Sequence, residues 1–266
     1  MTYKTILVHL NDKRRAEALL EPAIHLATRH NAHLIGMHVY ASLPAPPIAV
    51  PYAAGVLGSI VAFDRKETEE IAATFARMTA NQPFVAEWRA LKVPHADLAA
   101  VVMDHGRSAD LIIAGQTDPD WDSSPLMEFP ERLALESGRP VLVVPYIGRY
   151  PEIGRNVVIA WKATREAARA VFDALPILAQ AEKVQVLEVK ERRDDGASLA
   201  PDTTIAASLA RHGIKPTVRT SLAADISVGD EILSMPTRIS WSWAPMAIRA
   251  CASLSSVAPP ATSLAI

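Results

Sequence analysis

The chain has 266 residues, half of them hydrophobic, and a net charge of -2. That suffices for one large domain or two smaller ones and lacks the basic excess expected of a nucleic-acid or anionic-membrane surface. Cys251 is the single cysteine, which excludes an internal disulfide. The opening MTYKTILVHLNDKRR has too short an apolar core, and no small-residue cleavage site, for a secretory leader. A cytoplasmic protein is the expectation.

KTILVHL is a short run rich in branched apolar residues and predicts a strand. RRAEALLEPAIHLATRH follows with Ala18, Leu19, Ala23, Leu26 and Ala27 at helical spacing. AHLIGMHVY predicts the next strand. From Ala41 to Phe63 there is no charge, a length that would suit a membrane span. Pro44, Pro46, Pro47 and Pro51 interrupt it, so the prediction is a proline-rich loop running into a helix and no membrane partner. DRKETEEIAATFARMTA is an amphipathic helix with an acidic first turn, favourable to the helix dipole. VAEWRAL reads as a strand, PHADLAAVVMDHGRSA as a helix with Pro94 and His95 at its start, and DLIIAGQ as a buried strand. PLMEFPERLALESG reads as a helix that Gly138 caps, and RPVLVVP as a last buried strand. Near-continuous apolar strands alternating with helices imply a parallel sheet covered on both faces, a parallel-sheet α/β sandwich.

The pattern then restarts. RNVVIAWKATREAARAVFDALPILAQAEKVQVLEVKE parallels the first strand, helix and second strand at an offset near 150 residues. TTIAASLARHGI predicts the second helix of this copy, KPTVRTSLA its third strand, and DISVGDEILS its third helix. The expected division is a first α/β domain over 1–148 and a second over 149–266, joined near PYIGRYPEIG. The second copy is incomplete: from about residue 235 an atypical tail, ISWSWAPMAIRACASLSSVAPPATSLAI, replaces its fourth and fifth strands and fourth helix. Such a copy leaves a sheet edge open, to be patched by residues such as Trp241, Trp243, Met246 and Leu254, and is expected to be the less stable half.

KTILVHLND and RNVVIAWKATREAARAVFDALP as opening units, ADLIIAG leading to SGRPVLVVP, and DISVGDEILS together resemble the universal stress protein family in its tandem two-domain form, over roughly residues 1–234. The resemblance implies an adenine-nucleotide α-hydrolase-like fold and a non-catalytic role in stress response and regulation. As partner it implies the chain's own second domain as a pseudo-dimer, or a homodimer. Some members bind ATP. In those, the loop after strand four reads Gly-x-x-Gly, nine residues, then Gly and a small or hydroxyl residue. Glycines let backbone N–H groups approach phosphate, and the helix N-terminus that follows favours the anion. Here Gly115 matches the first glycine and Asp118 stands at the second. Asp118, Asp120 and Asp122 would repel phosphate. Asn11, with Asp12 beside it, aligns with an Asp typical after strand one. Adenine-nucleotide binding is therefore expected to be ancestral and lost in this half.

In the second half the glycine loop is missing, and the genetic code offers a reason. Regrouping the last base of each codon with the first two of the next turns Trp243–Ala244 and Met246–Ala247 each into a glycine codon, three positions apart. With GC-rich codons the stretch from Ile239 then reads as an apolar strand, a glycine loop and a helix, the order the family has at this place. A shift of reading frame between about Leu233 and Ile239 is the expectation; the alternative is a genuine divergent end. No cofactor is expected in the chain as it stands, and ATP only with a restored second-domain glycine loop.

By position alone, Trp161, Lys162 and Val189 in the second half, and Asn11, Val39 and Gly115 in the first, are the candidate nucleotide-binding residues. The plainer reading packs Trp161, solvates Lys162 and makes both valines core. His25, His30, His33 and His38 lack the spacing of a helical zinc pair. DPDWDSSPLMEF has Ser123 where a calcium loop needs Gly and Phe129 where it needs Glu. HGRS at 105–108 reads as the end of a helix: the chain has no Gly-x-Ser-x-Gly elbow, Walker loop or Gly-x-Gly-x-x-Gly. An ATP-binding or ATP-hydrolysing member of the same superfamily is the second expectation. The nucleotidyl-transferring and pyrophosphatase enzymes of such folds need a Ser-Gly-Gly-x-Asp-Ser loop or a His-x-Gly-His motif, and neither occurs.

Overall fold

Branched apolar runs too short for helices pair as parallel strands, and the amphipathic segments between them cross back over the sheet faces. The computed structural model describes residues 2–41, 51–93, 97–118, 129–191, 203–223, 246–248 and 264–265. The chain divides into one unit of Tyr3–Pro151 and another of Glu152–Ile266 with Met1–Thr2.

The first unit runs β1 (Thr5–His9), α1 (Ala16–His30), β2 (His33–Ala41), α2 (Pro51–Thr79), β3 (Ala86–Val93), α3 (Leu98–Gly106), β4 (Leu111–Gly115), α4 (Phe129–Glu136) and β5 (Val141–Val144). Its sheet has the order β3-β2-β1-β4-β5, with every neighbouring pair parallel. Leu7, Ile35, Met37, Val39 and Ile112 lie under Leu98, Val102 and Met103 of α3 and Leu133 of α4. Residue 36 points to the other face, where the Phe75 ring of α2 sits so close that a Cβ at Gly36 would lie 2.4 Å from it. Both faces are thus covered, as the apolar strands require.

α2 begins thirteen residues before the acidic segment at Asp64 that marked its expected first turn. Pro51 is its first residue; a proline there loses only an N–H that would have had no helical partner. The expected loop at 42–50 lies outside the described residues. Asp97 caps α3, its carboxylate accepting from the Ala100 N–H at 3.1 Å, and Arg132 of α4 donates to the same group at 2.8 Å. Pro94 and His95 lie outside the described residues. Gly138 follows α4 with φ of 75°, the left-handed turn expected of it.

The second unit runs β6 (Asn156–Trp161), α5 (Arg165–Asp173), α6 (Leu175–Leu178), β7 (Lys183–Glu191), α7 (Thr204–Arg211), β8 (Thr217–Ala223), β9 (Met246–Ile248) and β10 (Leu264–Ala265). Its strands are ordered β10-β9-β6-β7-β8, again parallel throughout. The single helix expected after β6 is two. α5, capped by the Thr164 hydroxyl, ends at Asp173, and α6 begins at Leu175 with Pro176 in its first turn, because proline lacks the N–H and the space to continue a helix.

The tail also departs from expectation. Met246–Ile248 pairs with β6 where a fourth strand belongs, and Leu264–Ala265 pairs with β9 in the fifth place. Among the described residues the second unit therefore has five strands, the last two of only three and two residues. The predicted third helix at 225–234, and Trp241, Trp243 and Leu254, lie outside the described residues.

Strands this short give few ladder bonds. Native-state hydrogen exchange is expected to release the β6 and β7 amides at lower denaturant than those of β1 and β4; equal protection in the two sheets would contradict this. A second expectation concerns His9, which is 1% exposed and whose pKa falls from 6.5 to about 3 through burial first and His38 second. The folded chain holds it neutral while the unfolded chain protonates near its ordinary value. Its stabilisation is therefore complete above pH 6.5 and is lost as pH falls toward 3, by at most about 4–5 kcal/mol. Urea titrations of the wild type and His9→Leu at pH 7 and pH 4.5 check it: the variant is expected to lose less stability on acidification.

Candidate functional site: the crevice between β1 and β4

From β1 the chain turns toward β2, and from β4 it turns toward β5, so the connections diverge at the carboxyl ends of the paired strands β1 and β4. Open α/β sheets bind ligands at such a point. One rim is built by Asn11 to Arg15, between β1 and α1. The other is Gly115 to Asp118, following β4.

On the first rim, Asp12 is 5% exposed. Its carboxylate accepts from the Arg14 backbone N–H at 2.8 Å and from Arg14 Nε at 2.9 Å, and its carbonyl accepts from the Arg15 N–H at 3.1 Å. An Asp that turns the backbone this way is a familiar helix-start device. Asp12 raises the Arg14 pKa, chiefly through that hydrogen bond. Arg15 is half-buried and donates from both terminal nitrogens to the carbonyls of Pro145 and Tyr146. Burial lowers its pKa, opposed by Asp118, Tyr150 and Asp12. Lys13 bonds Glu70 of α2 at 2.7 Å.

On the second rim, the Gln116 N–H donates to the Val144 carbonyl at 2.8 Å. Its side-chain oxygen accepts from the Tyr146 N–H at 3.4 Å. Gly115 has no positive φ, and a Cβ there would meet Leu19 at an ordinary 3.5 Å. Nothing in the backbone at this position demands glycine. Asp118 follows three residues on, half-buried.

Of the six candidate residues, the structure brings Asn11 and Gly115 to this crevice, one on each rim. Val39 ends the neighbouring strand, but its side chain is buried in the core. In the second unit Trp161 ends β6 half-buried, Lys162 follows it exposed, and Val189 packs beside the Val158–Leu187 cluster. Lys162 spends its carbonyl on the Thr164 N–H at 2.7 Å, which shapes the turn into α5. Arg15 and Gln116 were missed by sequence reading. The one available signal was the pair of arginines directly after Asn11–Asp12. Among the described residues no cluster of three or more His, Cys, Asp or Glu is placed to hold a metal, and no helix is long and apolar enough to cross a membrane.

A parallel sheet with helices on both faces and divergent connections at its carboxyl ends defines a parallel-sheet α/β sandwich. The chain belongs to the universal stress protein family, whose family model matches residues 2–145. A universal stress protein from Archaeoglobus fulgidus superposes with a TM-score of 0.63 at 14% identity, covering 94% of this chain and 86% of that one; at that identity the likeness shows the fold. A universal stress protein from Lactobacillus plantarum gives 0.43 at 17% identity, over 54% of this chain and 98% of its own. One from Burkholderia pseudomallei gives 0.37 at 23%, over 54% and 96%. No curated protein matches the chain.

The glycines at 115 and 36 make different predictions. Gly115→Ala is expected to cost less than about 1 kcal/mol, since its Cβ fits and the backbone is ordinary. Gly36→Ala must displace the Phe75 ring, at about 1–3 kcal/mol. Chemical denaturation of both variants checks this; a Gly115→Ala loss as large as that of Gly36→Ala would contradict it.

Proposed function

We propose that the chain is a non-catalytic stress-response module, a tandem universal stress protein whose first unit no longer holds an adenine nucleotide. The observation that carries this reading is Asp118. It places a carboxylate three residues after Gly115, where the resemblance puts the second glycine of a phosphate loop. A carboxylate at that place opposes a phosphate anion instead of offering it a backbone N–H. The rim opposite gives little compensation, because Asp12 takes up Arg14, and Arg15 already serves two backbone carbonyls. Tandem duplication is supported by matching strand order and register: Val157 pairs with Met246 as Ile6 pairs with Leu111. The two units are proposed to act as a pseudo-dimer, alone or within a homodimer, in the cytoplasm.

The second unit is proposed to have carried the family's glycine loop in a reading frame that this chain has left between about residues 233 and 239. On that view Trp161, Lys162 and Val189 are remnants of a nucleotide site without its phosphate grip, as Asn11, Val39 and Gly115 are in the first unit. The competing reading, an ATP-binding or ATP-hydrolysing protein, needs those remnants to suffice.

Calorimetric titration of the purified chain with Mg-ATP separates the two, alongside an assay for ADP and AMP at high protein concentration. No binding at millimolar ATP and no turnover are expected. Restoring the frame by a one-base change upstream of codon 239 is expected to bring ATP binding with it. ATP bound by the chain as given would overturn the proposal.

A further inference from the structure

We propose that residues 145–150 form a latch across the β1–β4 crevice, pinned from both rims, so that the crevice rim and the linker into the second unit open as one event. Three observations support it independently. Arg15, from the β1 rim, donates to the carbonyls of both Pro145 and Tyr146. Gln116, from the β4 rim, accepts from the Tyr146 N–H and donates its own N–H to Val144. Arg149, at the far end of the segment, bonds Glu21 at 2.5 Å and Glu17 at 3.4 Å on α1, and Glu17 in turn pairs with Arg77 of α2 at 2.5 Å.

The segment's own conformation fits this course. Gly148 has φ of 92°, which a side chain would strain, and the turn it makes returns Tyr150 to a buried position where its hydroxyl donates to the Ile147 carbonyl at 3.0 Å. Pro145 and Tyr146 hold Arg15 through neutral acceptors. An anionic group would bind a guanidinium more strongly than two carbonyls do. Whatever draws Arg15 away strips the latch of its pin, and the segment that leads to Glu152 loosens with it.

The inference goes beyond the loss of nucleotide binding and does not depend on it, because its test reads the latch and not a ligand. Hydrogen exchange and limited trypsin digestion of the full chain are compared for the wild type, Arg15→Gln, and the pair Glu17→Gln with Glu21→Gln. In Arg15→Gln the amides of Tyr146 and Gln116 are expected to exchange about tenfold faster or more, the loss of a charged donor. Cleavage after Arg149 should quicken while Ile112 and Ile113 stay protected. The double Glu variant is expected to quicken cleavage after Arg149 and leave Gln116 slow. If Arg15→Gln exposes Ile113 as well, Gln116→Leu replaces it, with faster Tyr146 exchange expected. Tyr146 and Gln116 exchanging at the wild-type rate in the folded variant would overturn the proposal.

Discussion

The parallel pairing of β1 with β4, Ile6 beside Leu111 and Val8 beside Ile113, is the constraint on which the first unit rests. It puts the chain's first strand in the middle of the sheet. β2 and β3 must then extend one way and β5 the other, and the helices are sent to opposite faces by right-handed crossovers. The same pairing leaves two strand ends side by side with their connections diverging. The polar residues Asn11 to Arg15 and Gln116 to Asp118 gather there. Fold and site are thus consequences of one strand pairing.

Most of the donors in this crevice already have partners within the unit. Asp12 and Arg14 answer each other, Arg15 is met by backbone carbonyls, and Gln116 takes up the Tyr146 N–H. A binding site for a phosphate keeps donors unspent and pointed outward. Here the Arg15 guanidinium is turned onto the chain's own linker. Arg15 is half-buried, and burial lowers its pKa.

Much of the fold was legible because its signals are local. Strands such as DLIIAG and RPVLVVP are buried on both faces and read as unbroken apolar runs, and α1 shows its period in Ala18, Leu19, Ala23 and Leu26. The misses have physical causes. Pro51 reads as a breaker until it is seen at a first helical position, and Pro176 cuts a helix whose apolar period continues through it. Asn11 and Gly115 were placed at the crevice by alignment of the strand ends. Arg15 was not, because its partners lie 131 and 130 residues away, and no local pattern encodes which distant carbonyl an arginine will find.

The two units differ in what their matching strands bury. The face of the first sheet formed by Leu7, Ile35, Met37 and Val39 is covered by α3 and α4. Its counterpart in the second sheet presents Val158, Leu187 and Val189, with Gln185 where Ile35 stands in the first. Among the described residues that cluster holds only Val158 and Leu187 fully buried, flanked by half-buried Ala160 and Val189. The pairing that anchors the first unit does recur, Val157 beside Met246, but it is made by a strand of three residues drawn from a sequence with no apolar run like LIIAG. Backbone pairing tolerates almost any sequence of the right length, whereas a covered face and a phosphate loop require particular residues. A short strand of unlike sequence can therefore keep the order of a sheet without supplying the residues that cover its face.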